Sequence, residues 1–163
     1  MKISNNQSLK TNIAESVRSN NPWHAYVDGS YSVRCPEGVA IGIAMIDNLG
    51  NKYKCSKFYV SPELATHRNV GAEVLAAYIA AKVAVKMNCK HLIIHYDYSG
   101  IGNWMNGSWS ANTEMSRTYV KEMNKMKELM NISFKYVRGH SGNRWNDAAD
   151  KFANEAIANR ING

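Results

Sequence analysis

Lys90-His91-Leu92-Ile93-Ile94-His95-Tyr96-Asp97 is the stretch that decides the fold. Its centre is apolar without alternation, as in a strand covered on both faces, and such strands belong to the parallel part of an α/β sheet. Before it, residues 70–87 carry alanine at many positions and end in Lys86-Met87-Asn88, which predicts a helix. Further upstream, strands are expected over 23–31, 39–47 and 52–60. The last two are joined by Asp47-Asn48-Leu49-Gly50-Asn51, whose turn chemistry suits a hairpin. Downstream, a weaker helical segment over 98–106 is followed by a helix over 112–130, a strand over 132–138 and a helix over 146–161. The order is β-β-β-α-β-α-β-α. It predicts an α/β fold with a five-stranded mixed sheet: an antiparallel meander, then parallel additions, with helices on both faces.

At 163 residues, 45% hydrophobic and 20% charged, the chain has the size and composition of one soluble globular domain. Its formal charge of +7 favours a polyanionic partner. Cys35, Cys55 and Cys89 form no Cys-x-x-Cys pair, which argues against a zinc cluster or a disulfide framework. Residues 1–22 are rich in Asn, Ser and Lys and close on Asn20-Asn21-Pro22. They read as a polar, flexible N-terminal arm ahead of a domain over 23–163. With no apolar run suited to a signal peptide or a membrane span, no membrane partner and a cytoplasmic, monomeric protein are expected.

Four carboxylates stand where solvated surface charge is not expected. Asp28 interrupts the strand-like Trp23-His24-Ala25-Tyr26-Val27. An Asp-Gly turn would explain it, but Tyr31 and Ser32 continue the strand pattern, and Asp inside a strand is disfavoured without a partner. Glu73 aligns at helical spacing with Ala77, Ala80 and Ala84, a small-residue stripe suited to close packing; a first-turn, dipole-favoured Glu is the competing reading. Asp97 follows the buried strand at its C-terminal end, where α/β sheets gather ligands, although a loop Asp capping the next helix fits as well. Asp147 and Asp150 share the face of the last helix, with Asn146 the expected N-cap, and their spacing does not choose between them. His140 sits in the glycine-flanked Gly139-His140-Ser141-Gly142, where an incidental histidine is common. Acidic groups converging from separate elements repel unless a cation lies between them, and an all-oxygen set suits Mg²⁺ or Mn²⁺.

Jointly, Tyr26-Val27-Asp28-Gly29-Ser30, Asn69-Val70-Gly71-Ala72-Glu73, Tyr96-Asp97-Tyr98-Ser99 and Gly139-His140-Ser141-Gly142, followed by Asn146-Asp147-Ala148-Ala149-Asp150, resemble type 1 ribonuclease H over about residues 23–160. The resemblance implies a ribonuclease H-like fold and an endonuclease that hydrolyses the RNA strand of RNA–DNA hybrids with little regard to base sequence. It implies Asp28, Glu73, Asp97 and Asp150 as ligands of two Mg²⁺ ions, with Mn²⁺ able to substitute, and it selects Asp150 over Asp147. It further implies His140 as an aid to proton transfer or product release, Asn69 as a contact to the RNA strand, and Ser30 and Ser99 as small polar residues supporting the substrate's backbone path. The products implied are 5′-phosphate and 3′-hydroxyl ends.

The sequence departs from some relatives in one place. Trp104-Met105-Asn106-Gly107-Ser108-Trp109-Ser110-Ala111-Asn112 has no Lys or Arg where they carry a basic protrusion, and the separate hybrid-binding domain that some relatives carry is not expected before Trp23. Weaker intrinsic hybrid affinity with steep salt dependence is expected from this. Trp104 and Trp109 are read first as packing residues, and Met115, Met123, Met126 and Met130 as adaptable core filler. A metal-free binding module and a DNA-cutting nuclease of the same superfold are the alternatives; the complete carboxylate set speaks against the first, and His140 and Asn69 against the second.

Overall fold

A computed structural model describes residues 20–163. The strands are β1 (Trp23–Ser30), β2 (Gly38–Ile46), β3 (Lys52–Val60), β4 (His91–Tyr96) and β5 (Asn131–Tyr136). The helices are α1 (Pro62–Ala65), α2 (Arg68–Lys86), α3 (Gly100–Met105), α4 (Glu114–Leu129) and α5 (Arg144–Asn162). The expected order therefore holds, with one addition: Ser61 accepts from the Leu64 amide and Pro62 pre-sets the first turn of the short α1. The 1–22 arm falls, except for residues 20–22, outside the described residues.

The sheet order is β3-β2-β1-β4-β5. β1, β2 and β3 pair antiparallel, while β4 joins β1 and β5 joins β4 in parallel. The expectation that β4 is covered on both faces holds on one face only: Leu92 and Ile94 are fully buried, while His91 and Ile93 on the opposite face are half-buried, because successive side chains of a strand point to opposite faces and a helix covers just one of them here. Strand alternation splits the sheet into two faces. Ala25, Val27, Ile41 and Ile43 pack with Ala77, Ala80 and Ala84 of α2, and Met123 and Tyr119 of α4 close the same core. Ala40 meets Ala156 and Ile157 of α5 on the other face. Helices thus cover both faces, as the sequence predicts.

Two glycines set how closely those helices approach. A Cβ at Gly29 would run into Ala72 and the Glu73 backbone, and one at Gly42 into the Ala149 carbonyl and the Ala153 amide. Gly42 pairs with Asp28 across the β1–β2 ladder, so α5 is seated directly beside the Asp28 side chain's row. Gly42→Ala must push α5 away from the sheet. Overpacking of this kind costs about 1–3 kcal/mol or more, read as a lower urea midpoint with an unchanged m-value.

Candidate active site

Parallel pairing brings the first two carboxylates together. The β1–β4 register runs from Trp23↔Leu92 to Tyr26↔His95, and continuing it by two residues sets Asp28 beside Asp97. Both side chains leave the sheet at the carboxyl ends of adjacent parallel strands, the place where open α/β sheets bind ligands. Asp28 is 9% exposed, and its Oδ1 accepts the Gly29 amide at 2.8 Å.

Glu73 comes from the opposite side of the sheet. Because α2 begins at Arg68, Glu73 lies in the second turn and not the first, so the helix dipole does not account for it. It is 2% exposed, and its carboxylate accepts the amides of Asp97 (3.2 Å) and Tyr98 (3.0 Å). This ties α2 to the turn that carries Asp97. Oxygens of Asp28, Glu73 and Asp97 lie within 4.8 Å of one another.

Burial, then Asp97, pushes the Asp28 carboxyl up to about 8, with Asp150 adding to the effect. Burial and Asp97 also push Glu73 up, to about 10. Burial and the neighbouring carboxylates thus favour the protonated forms of Asp28 and Glu73 when no cation lies between them.

A cavity of about 340 Å³ opens over the cluster, lined by Asp28, Gly29, Asn69, Val70, Glu73, Asp97, Tyr98, His140 and Asp150. No Lys or Arg is among them, so nothing in the lining neutralises the acids. An all-oxygen donor set of this charge fits a hard divalent cation.

Asp150 reaches the cavity from α5, while Asp147 is exposed. The expected N-cap, Asn146, is instead buried inside the helix; Asn143 caps α5 by accepting the amides of Trp145 and Asn146. Asn146 Oδ1 is buried without a hydrogen-bond partner among the described residues. His140 is exposed and has a φ of 55°, in a loop pinned by the Ser141 hydroxyl donating to the Arg138 carbonyl at 2.6 Å. Gly139 lets that loop approach Asp97: a Cβ there would stand 3.1 Å from Asp97 Oδ2.

The remaining expected residues divide. Asn69 lines the cavity, and its Oδ1 accepts the Tyr31 amide at 3.0 Å, which leaves its NH₂ group available as a donor. Ser30 and Ser99 do not line it. The Ser30 hydroxyl donates to Asn154 of α5 at 3.1 Å, and Ser99 stands at the start of α3 without capping it.

Sequence reading missed the support beneath the site. Tyr26 stacks on the buried His95 ring (4.0 Å between centroids, 6° between planes), and His95 Nε2 lies 2.8 Å from His24 Nδ1. Their signal was present as period-two alternation, Tyr26 and Asp28 on one strand matching His95 and Asp97 on its neighbour. Trp104 packs against Tyr98 and Tyr119, consistent with the packing reading, whereas Trp109 is 42% exposed at the edge of that aromatic group. Met123 and Met130 are buried and Met115 and Met126 pack against the core.

Comparison with known proteins bears on the family and the fold. The family model for ribonuclease H matches residues 20–158. Ribonuclease H of Francisella philomiragia is 35% identical over 97 residues, covering 53% of this chain and 62% of the relative. That of Francisella tularensis subsp. novicida is 35% identical over 100 residues, 55% of this chain and 64% of the relative. The matched stretch is thus under two thirds of each relative's length. In structure, the RNase H1 of the halophilic archaeon Halobacterium salinarum superposes with a TM-score of 0.71 at 20% identity, covering 85% of this chain and 99% of that one. LC11-RNase H1, solved in complex with an RNA/DNA hybrid, gives 0.64 at 16% identity, covering 83% and 99%. With a family model spanning most of the chain and the same five-stranded fold in these neighbours, the chain belongs to the ribonuclease H family.

Proposed function

We propose that this protein is an endonuclease hydrolysing the RNA strand of RNA–DNA hybrids, with residues 23–163 as the catalytic unit. The observation that carries the reading is the convergence of Asp28, Glu73 and Asp97 within 4.8 Å, in a cavity that Asp150 and His140 also line. A family neighbour bound to an RNA/DNA hybrid supports the choice of substrate.

Asp28, Glu73, Asp97 and Asp150 would hold two divalent ions, Mg²⁺ in the first instance. When bound, such ions supply Lewis acidity: they favour deprotonation of the attacking water and stabilise charge on the leaving 3′-oxygen. The protein's own residues do the rest. Glu73, anchored by two backbone amides, holds the Asp97 turn in place. His140, exposed in its glycine-flanked loop, is free to carry a proton to or from the leaving group without serving as a ligand. Asn69 presents its NH₂ group to the RNA strand, and selectivity for RNA follows from contacts to 2′-hydroxyls. Hydrolysis would leave 5′-phosphate and 3′-hydroxyl ends, with little sequence preference because backbone contacts position without specifying.

Incubation with Mg²⁺ and labelled RNA–DNA hybrid, double-stranded DNA and double-stranded RNA tests this. Only the hybrid is expected to be cut, and Asp97→Asn is expected to lower the rate on the order of 10³-fold, since several kcal/mol of charge stabilisation pass through that carboxylate. Cutting of duplex DNA, or hybrid binding without cutting by the unaltered protein, would reject the reading.

The raised carboxyls give a second test. Native Asp28 and Glu73 keep protons that the unfolded chain releases near pH 4, so the metal-free protein binds more protons folded than unfolded. Their contribution to stability is therefore greatest below about pH 4 and is lost as pH rises, through about 8 for Asp28 and about 10 for Glu73. Thermal melts in EDTA should show Asp28→Asn stabilising at pH 8 and near neutral at pH 4. Added Mg²⁺ should raise the melting temperature of the unaltered protein more at pH 8 than at pH 5. A destabilised Asp28→Asn at pH 8 would contradict the account.

A further inference from the structure

The sheet is unevenly covered. α5 lies across β1, β2 and β3, while the same face of β4 and β5 carries no helix among the described residues. Register puts His24, Tyr26, His91, Ile93, His95, Ser133 and Lys135 on that open face. At its border with α5, Lys52 Nζ lies 5.3 Å from the centre of the Trp145 ring and the Arg144 guanidinium 4.8 Å from it. Two cations thus share one indole. Neither they nor Lys135 form an ion pair among the described residues, whose pairs are Lys54–Glu155, Lys125–Glu122, Lys151–Glu155 and Arg160–Glu37. Exposed, unpaired and like in charge, the three suit an anion larger than any one of them can hold.

Their placement favours one polyanion. Arg144 is six residues before Asp150, about 9 Å along the helix at 1.5 Å per residue. Lys52 and Lys135 stand on the two edge strands, whose backbones lie on the order of 19 Å apart at sheet spacing. A duplex seated on the carboxylates advances about 3.4 Å per base pair, so its backbone reaches Arg144 about three base pairs from the cut. On the other side of the sheet, a cavity of about 640 Å³ is rimmed by Glu63, Glu114 and Glu122 and has no Lys or Arg in its lining. Phosphate is disfavoured there.

We propose that Lys52, Arg144 and Lys135 form a second backbone contact for the part of the RNA–DNA hybrid that extends past the cleavage point. The strip supplies, from the β3 edge and the start of α5, the cationic grip absent from the uncharged stretch at 104–112. It rests on the hybrid reading of the site.

Binding of a 20-base-pair hybrid by full-length protein, in an Asp97→Asn background so that the hybrid stays intact, tests the strip. Lys52→Glu with Arg144→Glu should weaken binding at least 10-fold and reduce the slope of log Kd against log salt by about 2, close to one for each phosphate no longer neutralised. Lys82→Glu with Lys86→Glu on α2, an equal change of net charge away from the strip, should shift Kd by less than about 3-fold. Lys52→Gln with Arg144→Gln, which adds no repulsion and is mild for folding, should weaken binding in the same direction by a smaller factor. Equal effects from the strip and α2 pairs, or none from either strip pair, would overturn the proposal. If the unaltered protein neither cuts nor binds hybrid, the functional reading itself has failed; normal cutting with an unaffected strip variant defeats the strip alone.

Discussion

The structure depends on the parallel pairing of β1 with β4. One ladder sets Asp28 beside Asp97, and everything near it either supports that pairing or responds to the charge it concentrates. Tyr26 and His95 stack in the rung below, and His24 meets His95 edge to edge, so the strands are locked just before the carboxylates emerge. Glu73 then joins from α2 by accepting the backbone of the Asp97 turn. The site is built from backbone geometry first and side-chain chemistry second.

Concentrating acid in a half-buried cavity is costly, and the fold meets that cost in two ways. Metal-free, the raised Asp28 and Glu73 carboxyls favour neutral forms. A divalent cation would reverse that preference. Close packing keeps the arrangement rigid: Gly29 and Gly42 let α2 and α5 descend onto opposite faces of the sheet beside the same strand, so Glu73 and Asp150 arrive from two sides. Rigid supports under a charged constellation are what electrostatic preorganisation requires.

The surface has a matching asymmetry. Among the described residues, Lys52, Arg144 and Lys135 stand without ion-pair partners near the start of α5 and on the open sheet face, and glutamates stand around the groove between α1, α2 and α4. Net charge alone suggested a polyanionic partner without a direction. Its distribution sets two sides of the molecule apart.

Element types and their order were legible from local pattern, because Leu92 and Ile94 in β4 and the alanine stripe of α2 report burial through composition. Boundaries were less so: α2 starts two residues earlier than expected, and that shift alone removes the helix-dipole explanation of Glu73. The start of α5 was misplaced for a similar reason. Asn143 and Asn146 are equally good capping residues in isolation, and only the path of the loop out of β5 decides which one meets free amides. The acidic positions themselves, and the motifs around them, were determined by sequence. Their convergence was not, since residues 28, 73, 97 and 150 share no local period. The sequence also left Asp147 and Asp150 equivalent on geometry, and only the docking of α5 over Gly42 turns Asp150 to the cavity and Asp147 to solvent. Chemistry resides in residue identity, but distance between carboxylates is a property of the packed sheet and helices.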